Sequence, residues 1–168
     1  MRRELESLPG LSLTPNAPLA PLNTFRIGGA AALLAEVRTE EALSRLLSAV
    51  GRVGASFVLL GLGSNVLIAD EGVAGVVTRL SGEFEELRFD GTAVRAGAGL
   101  ALPRLVRATL ARGLLGPEAL AGFPSTVGGA EVMIAGCYGT EIKDRLVWAE
   151  VVERDGQRRR FEVGELEA

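Results

Sequence analysis

Apolar residues follow two different spacings in the first half of the chain. Three short apolar runs predict buried strands at residues 31–37, 57–60 and 75–80. Between the first two runs, the helical spacing i, i+3, i+4 and i+7 is occupied by Leu43, Leu46, Leu47 and Val50. The pattern therefore predicts a β-α-β-β lobe that ends near Gly82.

The predicted helix is bounded by residues with known preferences for helix ends. Thr39 is a suitable N-cap, and Glu40 and Glu41 place negative charge in the first turn, where the helix dipole favours it. Gly51 and Gly54 can end the helix, because glycine readily adopts the left-handed conformation that follows many last turns. We therefore expect the helix to begin after Thr39 and to stop at these glycines.

The second half of the chain carries two signals for β-hairpins. Predicted strands at residues 84–89 and 93–96 flank Asp90-Gly91, and predicted strands at residues 146–153 and 159–163 flank Asp155-Gly156. Asp-Gly pairs favour the tight two-residue turns that join antiparallel strands. We therefore expect two antiparallel hairpins in this half.

One further helix and the order of the elements set the fold class. Pro103 suits the first turn of a helix that lies between the hairpins, and Gly113 suits its end. Hairpins interrupted by helices favour an α+β class over a regularly alternating parallel sheet. We divide the chain into an irregular, proline-rich leader, a first lobe and a second lobe, at residues 1–20, 21–81 and 82–168.

The charge balance argues against nucleic acid as a partner. The chain has a formal charge of −3 and a pI near 5.2, whereas contact with a phosphate backbone needs a basic surface. The basic run Arg158-Arg159-Arg160 lies on a predicted strand, where successive side chains alternate between faces. A solvated strand edge is the simpler interpretation of this run, and a contact with an anion is the alternative.

The lack of histidine and the single cysteine exclude several kinds of chemistry. The chain contains 0 histidines, which removes imidazole general bases, imidazole metal ligands and a histidyl link to a flavin. Cys137 alone can form neither an intrachain disulfide nor a cysteine-rich zinc site. No stretch has the continuous apolar character of a membrane span or a signal peptide. We therefore expect a cytoplasmic protein without a metal site or a membrane contact.

Glycine is concentrated in two loops, and the first glycine-rich loop joins two apolar segments. It consists of Gly61, Leu62, Gly63, Ser64, Asn65 and Val66. Small residues let the backbone approach a ligand and turn amide groups toward an anion, and Ser64 and Asn65 can add side-chain hydrogen bonds. The loop lacks the third glycine of the dinucleotide-binding fingerprint and the Gly-Lys-Ser/Thr end of a phosphate loop. Taken alone, a tight turn is its simpler interpretation.

The second glycine-rich loop contains more small residues than a turn requires. It consists of Gly122, Phe123, Pro124, Ser125, Thr126, Val127, Gly128, Gly129 and Ala130, and it is followed by Gly136, Tyr138 and Gly139. Its small residues permit a flat cofactor or a diphosphate to lie against the main chain, and Ser125 and Thr126 offer hydroxyl donors. Neither loop contains Lys or Arg, so a diphosphate here would be met by main-chain amides. Composition alone leaves a ligand site and a structural loop equally open.

Four blocks occur in order along the chain. They are Asn23-Thr24-Phe25-Arg26-Ile27-Gly28-Gly29, the first glycine-rich loop, residues 70–77, and the second glycine-rich loop with its continuation to Gly139. In this order they resemble bacterial UDP-N-acetylenolpyruvoylglucosamine reductases. The resemblance covers residues 23–156, and the order and spacing of the blocks make it specific. It implies a two-lobed α+β FAD-binding fold of the type shared with vanillyl-alcohol oxidase and p-cresol methylhydroxylase flavoproteins.

The resemblance also implies an activity and a distribution of roles. In the family, NADPH reduces FAD, and the reduced flavin converts UDP-N-acetylglucosamine enolpyruvate to UDP-N-acetylmuramate for peptidoglycan synthesis. FAD would lie extended between the two lobes and be held without a covalent bond. By motif match, residues 61–66 would hold its diphosphate, and residues 122–130 with Gly136, Tyr138 and Gly139 would line the flavin and its phosphates.

The chain departs from the family pattern at four positions and in its extent. Ser125, Ile134 and Cys137 stand where the family usually has glycine, asparagine and alanine, and Glu131 adds a charge. The family's later Tyr-Arg-x-Ser segment, proton-donating serine or cysteine, and glutamate have no counterpart, so we assign no catalytic side chain.

This shorter extent leaves three interpretations open. The first is a shortened reductase, whose UDP-sugar domain is missing here and belongs to the complete protein. The second is a flavin-binding module without activity of its own, either a decayed remnant or one half of a split enzyme whose second chain supplies that domain. The third is the FAD domain of another oxidase of the same fold.

Overall fold

The computed structural model describes residues 5–133, 136–137 and 140–165. The strands of the first lobe are β1 (Leu11–Pro18), β2 (Ala30–Val37), β3 (Phe57–Leu59) and β4 (Val73–Leu80). The strands of the second lobe are β5 (Leu87–Asp90), β6 (Ala93–Ala96), β7 (Gly136–Cys137), β8 (Thr140–Glu141), β9 (Trp148–Val152) and β10 (Arg158–Glu162). The α-helices are α1 (Glu40–Val53), α2 (Leu102–Leu110) and α3 (Val127–Val132). The predicted α+β class is confirmed.

The first lobe is built on a four-stranded sheet in the order β1-β2-β4-β3. β1 runs antiparallel to β2, whereas β4 is parallel to both β2 and β3. The predicted irregular leader is wrong, because residues 11–18 form β1. The prolines of β1 are tolerated because this strand lies at the edge of the sheet, where one side of a strand needs no hydrogen-bond donor.

The ends of α1 follow the expected chemistry, with one correction. The Thr39 hydroxyl accepts a hydrogen bond from the Ala42 N–H at 3.2 Å, so the N-cap is confirmed. At the other end, Gly54 has φ 63° in the left-handed region and caps the helix. Gly51 does not stop the helix, which continues through it to Val53.

The two faces of the sheet are covered by different elements. On one face, apolar residues of α1 pack against β2 and β4, and this core contains Leu33, Ala35, Val37, Leu43, Leu46, Leu47, Val50 and Val76. On the other face, Leu19, Leu60 and Val77 form a second core with Val66 and Ile68. The residues after β3 are therefore tied to the sheet by their own apolar side chains, and this contact fixes the first glycine-rich loop in space.

The second lobe contains both predicted hairpins, with longer or shifted turns. β5 pairs with β6 up to Asp90↔Ala93, so the two-residue turn is Gly91-Thr92, one position later than predicted. β9 pairs with β10 from Val152↔Arg158, and the Glu153 N–H donates to the Gln157 carbonyl oxygen at 2.8 Å, so the turn consists of residues 154–156. Residues 84–86 do not belong to β5.

Phe84 explains why the strand begins late. It lies in a short 3₁₀ turn, Gly82–Glu85, and its ring is buried with α1 in the core of the first lobe. Beyond the hairpin, α2 begins at Leu102, carries Pro103 in its first turn, and ends before Gly113, as predicted. The boundary between the lobes near residue 81 stays a prediction.

The β9–β10 hairpin docks on α1. The Ser44 and Ser48 hydroxyls donate hydrogen bonds to the carbonyl oxygens of Gly156 and Asp155 at 2.5 and 2.8 Å. Gly156 has φ 87°, and a Cβ there would lie 2.4 Å from the Ser48 hydroxyl, so only glycine fits this contact.

The arginine run on β10 forms exposed ion pairs. Arg158 lies 2.9 Å from Glu40, Arg159 lies 3.2 Å from Glu153, and Arg160 lies 3.0 Å from Glu162. These contacts favour the solvated-edge interpretation of the run.

Among the described helices, none is long and apolar enough to cross a bilayer.

We predict that Thr78→Val stabilises the protein. Thr78 is fully buried in β4, and its hydroxyl has no hydrogen-bond partner among the described residues. Removing an unsatisfied buried hydroxyl while keeping the side-chain shape should raise the free energy of unfolding by about 1 kcal/mol, measured by denaturant titration.

Thr109→Val is the matched control for this variant. Thr109 is also buried, but its hydroxyl donates to the Val106 carbonyl oxygen at 2.8 Å, so the same substitution should lower the free energy of unfolding. A loss of stability in Thr78→Val would contradict the assignment of an orphaned hydroxyl.

Candidate functional site

The first glycine-rich loop is supported by residues 19–27. The Thr24 N–H donates to the Gly63 carbonyl oxygen at 2.9 Å. Gly63 has φ 71°, and a Cβ there would lie 2.2 Å from the Leu22 carbonyl oxygen, so no other residue fits without displacing the backbone. Asn23 braces the supporting turn, because its side-chain amide donates to the carbonyl oxygens of Leu19 at 3.0 Å and Ile27 at 2.9 Å.

The main-chain N–H groups of the first loop have no acceptor within the described part of the chain. Among the described residues, none accepts a hydrogen bond from an N–H of residues 61–66, although Leu60 just before them donates to Thr78 at 2.8 Å. Folded proteins rarely leave a run of main-chain donors without acceptors unless water or a ligand supplies them. Six consecutive free donors on a rigidly supported turn suit an anion such as a diphosphate.

The second glycine-rich loop uses its amides differently. The N–H groups of Val127, Gly128 and Ala130 donate to main-chain carbonyl oxygens, and that of Gly129 donates to the Thr126 hydroxyl at 3.1 Å. The N–H groups of residues 127–130 are therefore already engaged within the protein, and the expectation that amides of this loop would meet a diphosphate stays a prediction. These bonds instead cap α3 and fasten the loop to residues 98–100.

The predicted hydroxyl donors of the second loop are also engaged. The Ser125 hydroxyl donates to the Thr126 carbonyl oxygen at 3.0 Å, while the Thr126 hydroxyl acts as the N-cap acceptor of α3. A Cβ on Gly128 would lie 2.8 Å from the Ala98 Cβ, so this glycine serves close packing. The second loop therefore forms a closely packed surface, and its main-chain N–H groups at residues 127–130 donate to acceptors within the protein.

The structure brings the two loops together. The Ser64 hydroxyl donates to the Pro124 carbonyl oxygen at 2.5 Å. Close by, a Cβ on Gly61 would lie 2.9 Å from the Thr126 hydroxyl, so glycine permits this approach. Residues that are 60 positions apart in the chain thus form one continuous surface.

The predicted site residues of the two loops differ in their exposure to solvent. The exposed members are Leu62, Asn65, Gly122 and Pro124; the buried members are Gly63, Thr126 and Ala130; and those of intermediate exposure are Gly61, Ser64, Val66, Phe123, Ser125, Val127, Gly128 and Gly129. Gly136 lies in the short strand β7, whereas Tyr138 and Gly139 lie outside the described residues. Ile134 also lies outside them, and of Cys137 only the strand backbone is described.

Residues 23–27 contribute features that the sequence interpretation did not assign. Asn23 is 6% exposed, and its side-chain oxygen has no partner among the described residues. Phe25 and Leu67 expose 61% and 78% of their surface beside the first loop, although both are large and apolar. The order Asn23-Thr24-Phe25 was visible in the sequence, but only the contact between Thr24 and Gly63 shows that this segment supports the loop.

Two carboxyl groups near the second loop have shifted pKa values. Burial raises the pKa of Glu131, which is half-buried on α3. The pKa of exposed Glu118 is lowered, chiefly because its carboxylate accepts a hydrogen bond from the Gly116 N–H. Among the described residues, no group of three or more acidic or cysteine side chains is placed to hold a metal ion.

Comparison with curated proteins identifies similar chains. The chain is 42% identical over 149 residues to UDP-N-acetylenolpyruvoylglucosamine reductase 2 of Symbiobacterium thermophilum, covering 89% of this chain and 48% of that protein. The chain thus spans about half the length of the curated relatives it matches. The sequence resemblance to this group of reductases is confirmed.

Solved structures support the same fold. A UDP-N-acetylenolpyruvylglucosamine reductase from Thermus caldophilus is 37% identical, with a TM-score of 0.76 over 92% of this chain and 53% of that chain. 6-Hydroxy-D-nicotine oxidase from Arthrobacter nicotinovorans is 16% identical, with a TM-score of 0.70 over 95% of this chain and 37% of that chain. The second match concerns the fold alone, and the predicted fold shared by reductases and oxidases is confirmed.

The family assignment follows from a match over most of both lobes. The model of the FAD binding domain matches residues 31–162, a range that contains both glycine-rich loops. Because this range covers well over half of the residues, the chain belongs to the FAD binding domain family.

Proposed function

We propose that this chain binds FAD without a covalent bond and forms the flavin-binding part of a UDP-N-acetylenolpyruvoylglucosamine reductase. The observation that carries the proposal is the row of N–H groups at residues 61–66, for which the described residues provide no acceptor. Its position in a domain of the FAD binding family supports a flavin nucleotide over other anions. The relatives at about 40% identity support the reductase over other flavoenzymes.

The residues of the first loop fit the diphosphate of FAD. A diphosphate offers several oxygen acceptors, and residues 61–66 offer main-chain donors and the Asn65 side-chain amide, with no Lys or Arg among them. Gly63 lets the backbone of the first loop lie close to residues 22–24, and the turn that Asn23 braces supports the loop. Exposed Phe25 and Leu67 supply apolar surface for a ring beside the loop.

The proposed activity belongs to a larger protein than this chain. The chemistry that FAD supplies when bound is transfer of a hydride from NADPH to the enolpyruvyl group of the UDP-sugar, which yields UDP-N-acetylmuramate for peptidoglycan. This chain's residues bind and orient the cofactor and exclude water from it. The UDP-sugar site and the proton donor come from the rest of a longer product or from a second chain, in the cytoplasm.

Two alternatives make different predictions from this proposal. A flavin-binding module without activity would bind FAD but would gain no turnover from a supplied C-terminal half. The FAD domain of an oxidase of this fold is less favoured, because the oxidase matches are only 15 to 16% identical, whereas the reductase matches reach 37 to 44%.

We predict that the purified chain takes up one equivalent of FAD in a saturable titration, followed by quenching of flavin fluorescence. Gly63→Ala should weaken binding by more than about tenfold, because a Cβ at φ 71° collides with the Leu22 carbonyl oxygen and displaces the donor row. Gly113→Ala is the matched control. Gly113 has φ 69° but no atom within 4 Å of its Cβ position, so its variant should bind FAD as tightly as the unaltered chain.

A folded chain that shows no saturable FAD uptake would refute the proposed function. The reductase and the inactive module are separated by an NADPH oxidation assay with the enolpyruvyl sugar nucleotide. The chain alone should show no sustained oxidation, whereas addition of a relative's C-terminal half should restore turnover if the reductase proposal is correct. Sustained oxidation by the chain alone would contradict the assignment of no catalytic side chain to it.

The charge on Glu131 provides a test of the second loop. Because burial raises the pKa of this carboxyl in the folded state, its charged form is disfavoured there and lowers stability at neutral and high pH. This penalty is present above the folded-state pKa, and it disappears as the pH falls toward the ordinary value of 4.5. The same negative charge would oppose an anionic cofactor near α3.

We therefore predict that Glu131→Gln unfolds at a higher temperature than the unaltered chain at pH 8 and binds FAD more tightly there. Both differences should vanish below about pH 4.5, where the carboxyl of the unaltered chain is neutral. Glu118→Gln should unfold at a lower temperature than the unaltered chain at pH 8, since the lowered pKa of Glu118 marks a carboxylate that stabilises the fold when charged. Equal thermal shifts of the two variants at pH 8 would contradict this account.

A further inference from the structure

The bond between Ser64 and Pro124 crosses from one lobe to the other. Ser64 lies in the first loop, among the N–H donors of residues 61–66, and Pro124 lies in the second loop. The Ser64 hydroxyl donates to the Pro124 carbonyl oxygen at 2.5 Å, and 60 residues separate the two in sequence. This contact therefore joins the part of the site that offers free amides to the part that does not.

The direction of this bond limits what Ser64 can do for a cofactor. A serine hydroxyl has one proton to donate, and Ser64 donates it to Pro124. The oxygens of a diphosphate are acceptors and require donors. While the bond to Pro124 exists, Ser64 can offer a diphosphate only lone pairs, which phosphate oxygens repel. A direct bond to the cofactor would require the contact between the loops to break.

Both partners are fixed to their own lobes, so the bond sets the distance between them. On the first lobe, the carbonyl oxygen of the preceding Gly63 accepts a hydrogen bond from Thr24 at 2.9 Å. On the second lobe, the carbonyl oxygen of Ser125 accepts one from Leu102 at 2.8 Å, at the start of α2. Movement of either loop would therefore strain a bonded neighbour.

We infer that Ser64 is a positioning residue that holds the second loop at the correct distance from the free amides, and that it is not a ligand of the diphosphate. The inference rests on the proposed function, because it concerns a cofactor that touches both lobes. A ligand that reaches only the first loop does not depend on this spacing. A ligand that spans both loops does.

The two kinds of ligand are available as ADP and FAD. ADP carries the adenosine and diphosphate of FAD without the flavin. In Ser64→Ala, FAD affinity should fall by about tenfold, the size expected for one lost hydrogen bond that orders a site, while ADP affinity changes less than about twofold. Ser64→Thr keeps the hydroxyl and should restore most of the FAD affinity. Affinities are measured by calorimetric titration of the full chain.

Ser48→Ala is the matched control. The Ser48 hydroxyl also donates across the lobes to a main-chain carbonyl oxygen, that of Asp155 at 2.8 Å, but at the docked hairpin and away from both loops. This variant should lower the unfolding temperature and leave the FAD affinity unchanged. A general weakening of the contact between the lobes would instead reduce FAD affinity equally in both variants, and that result would overturn the inference.

Gly61→Ala tests the spacing without removing a hydrogen bond. Its Cβ would lie 2.9 Å from the Thr126 hydroxyl and should push the two loops apart. We expect the pattern of Ser64→Ala, a loss for FAD that exceeds the loss for ADP.

Several results would refute the inference. Equal losses of ADP and FAD affinity in Ser64→Ala would make the hydroxyl a direct ligand, and unchanged FAD affinity in that variant would remove any role in spacing. Both results leave the proposed function intact, since the unaltered chain would still bind FAD. Failure of the unaltered chain to bind FAD would refute the proposed function and the inference with it.

Discussion

The proposed site depends on a backbone whose N–H groups at residues 61–66 find no acceptor among the described residues. A run of unpaired donors is costly unless its surroundings hold it in place and a ligand or water satisfies it. Two contacts hold residues 61–66 in place. Gly63 lies against residues 22–24, and Val66 and Ile68 pack on the sheet. The second core of the first lobe therefore also holds the segment that carries this row of donors.

The two glycine-rich loops are alike in composition and different in use. In the first, glycine allows a left-handed turn and leaves the main-chain donors available. In the second, Gly128 permits contact with Ala98, and the N–H groups of residues 127–130 are spent on the protein itself. Glycine content by itself therefore does not identify an anion site. The deciding property is whether the main-chain donors have partners, and that property appears only when distant segments are in place.

Local signals in the sequence predicted local structure well. Thr39 as N-cap, Gly54 as the helix end, Pro103 in a first helical turn and both hairpins are consequences of short-range sterics and hydrogen bonding. The failures share a long-range cause. β1 forms despite its prolines because β2 supplies a partner, and Phe84 leaves its predicted strand because a core in the other lobe accepts its ring. For the candidate site, the family resemblance proposed both loops, but it could not show that Ser64 donates to Pro124 or that Asn23 braces the supporting turn.

The central claim is that the amides of the first loop, and not those of the second, hold the diphosphate of FAD. Hydrogen–deuterium exchange resolved to single residues measures this directly. Without FAD, the amides of residues 61–66 should exchange rapidly, while those of residues 127–130 are already slowed by their protein acceptors. Saturating FAD should slow exchange at residues 61–66 and leave the difference at residues 127–130 small. Unchanged exchange at residues 61–66 under saturating FAD would contradict the account.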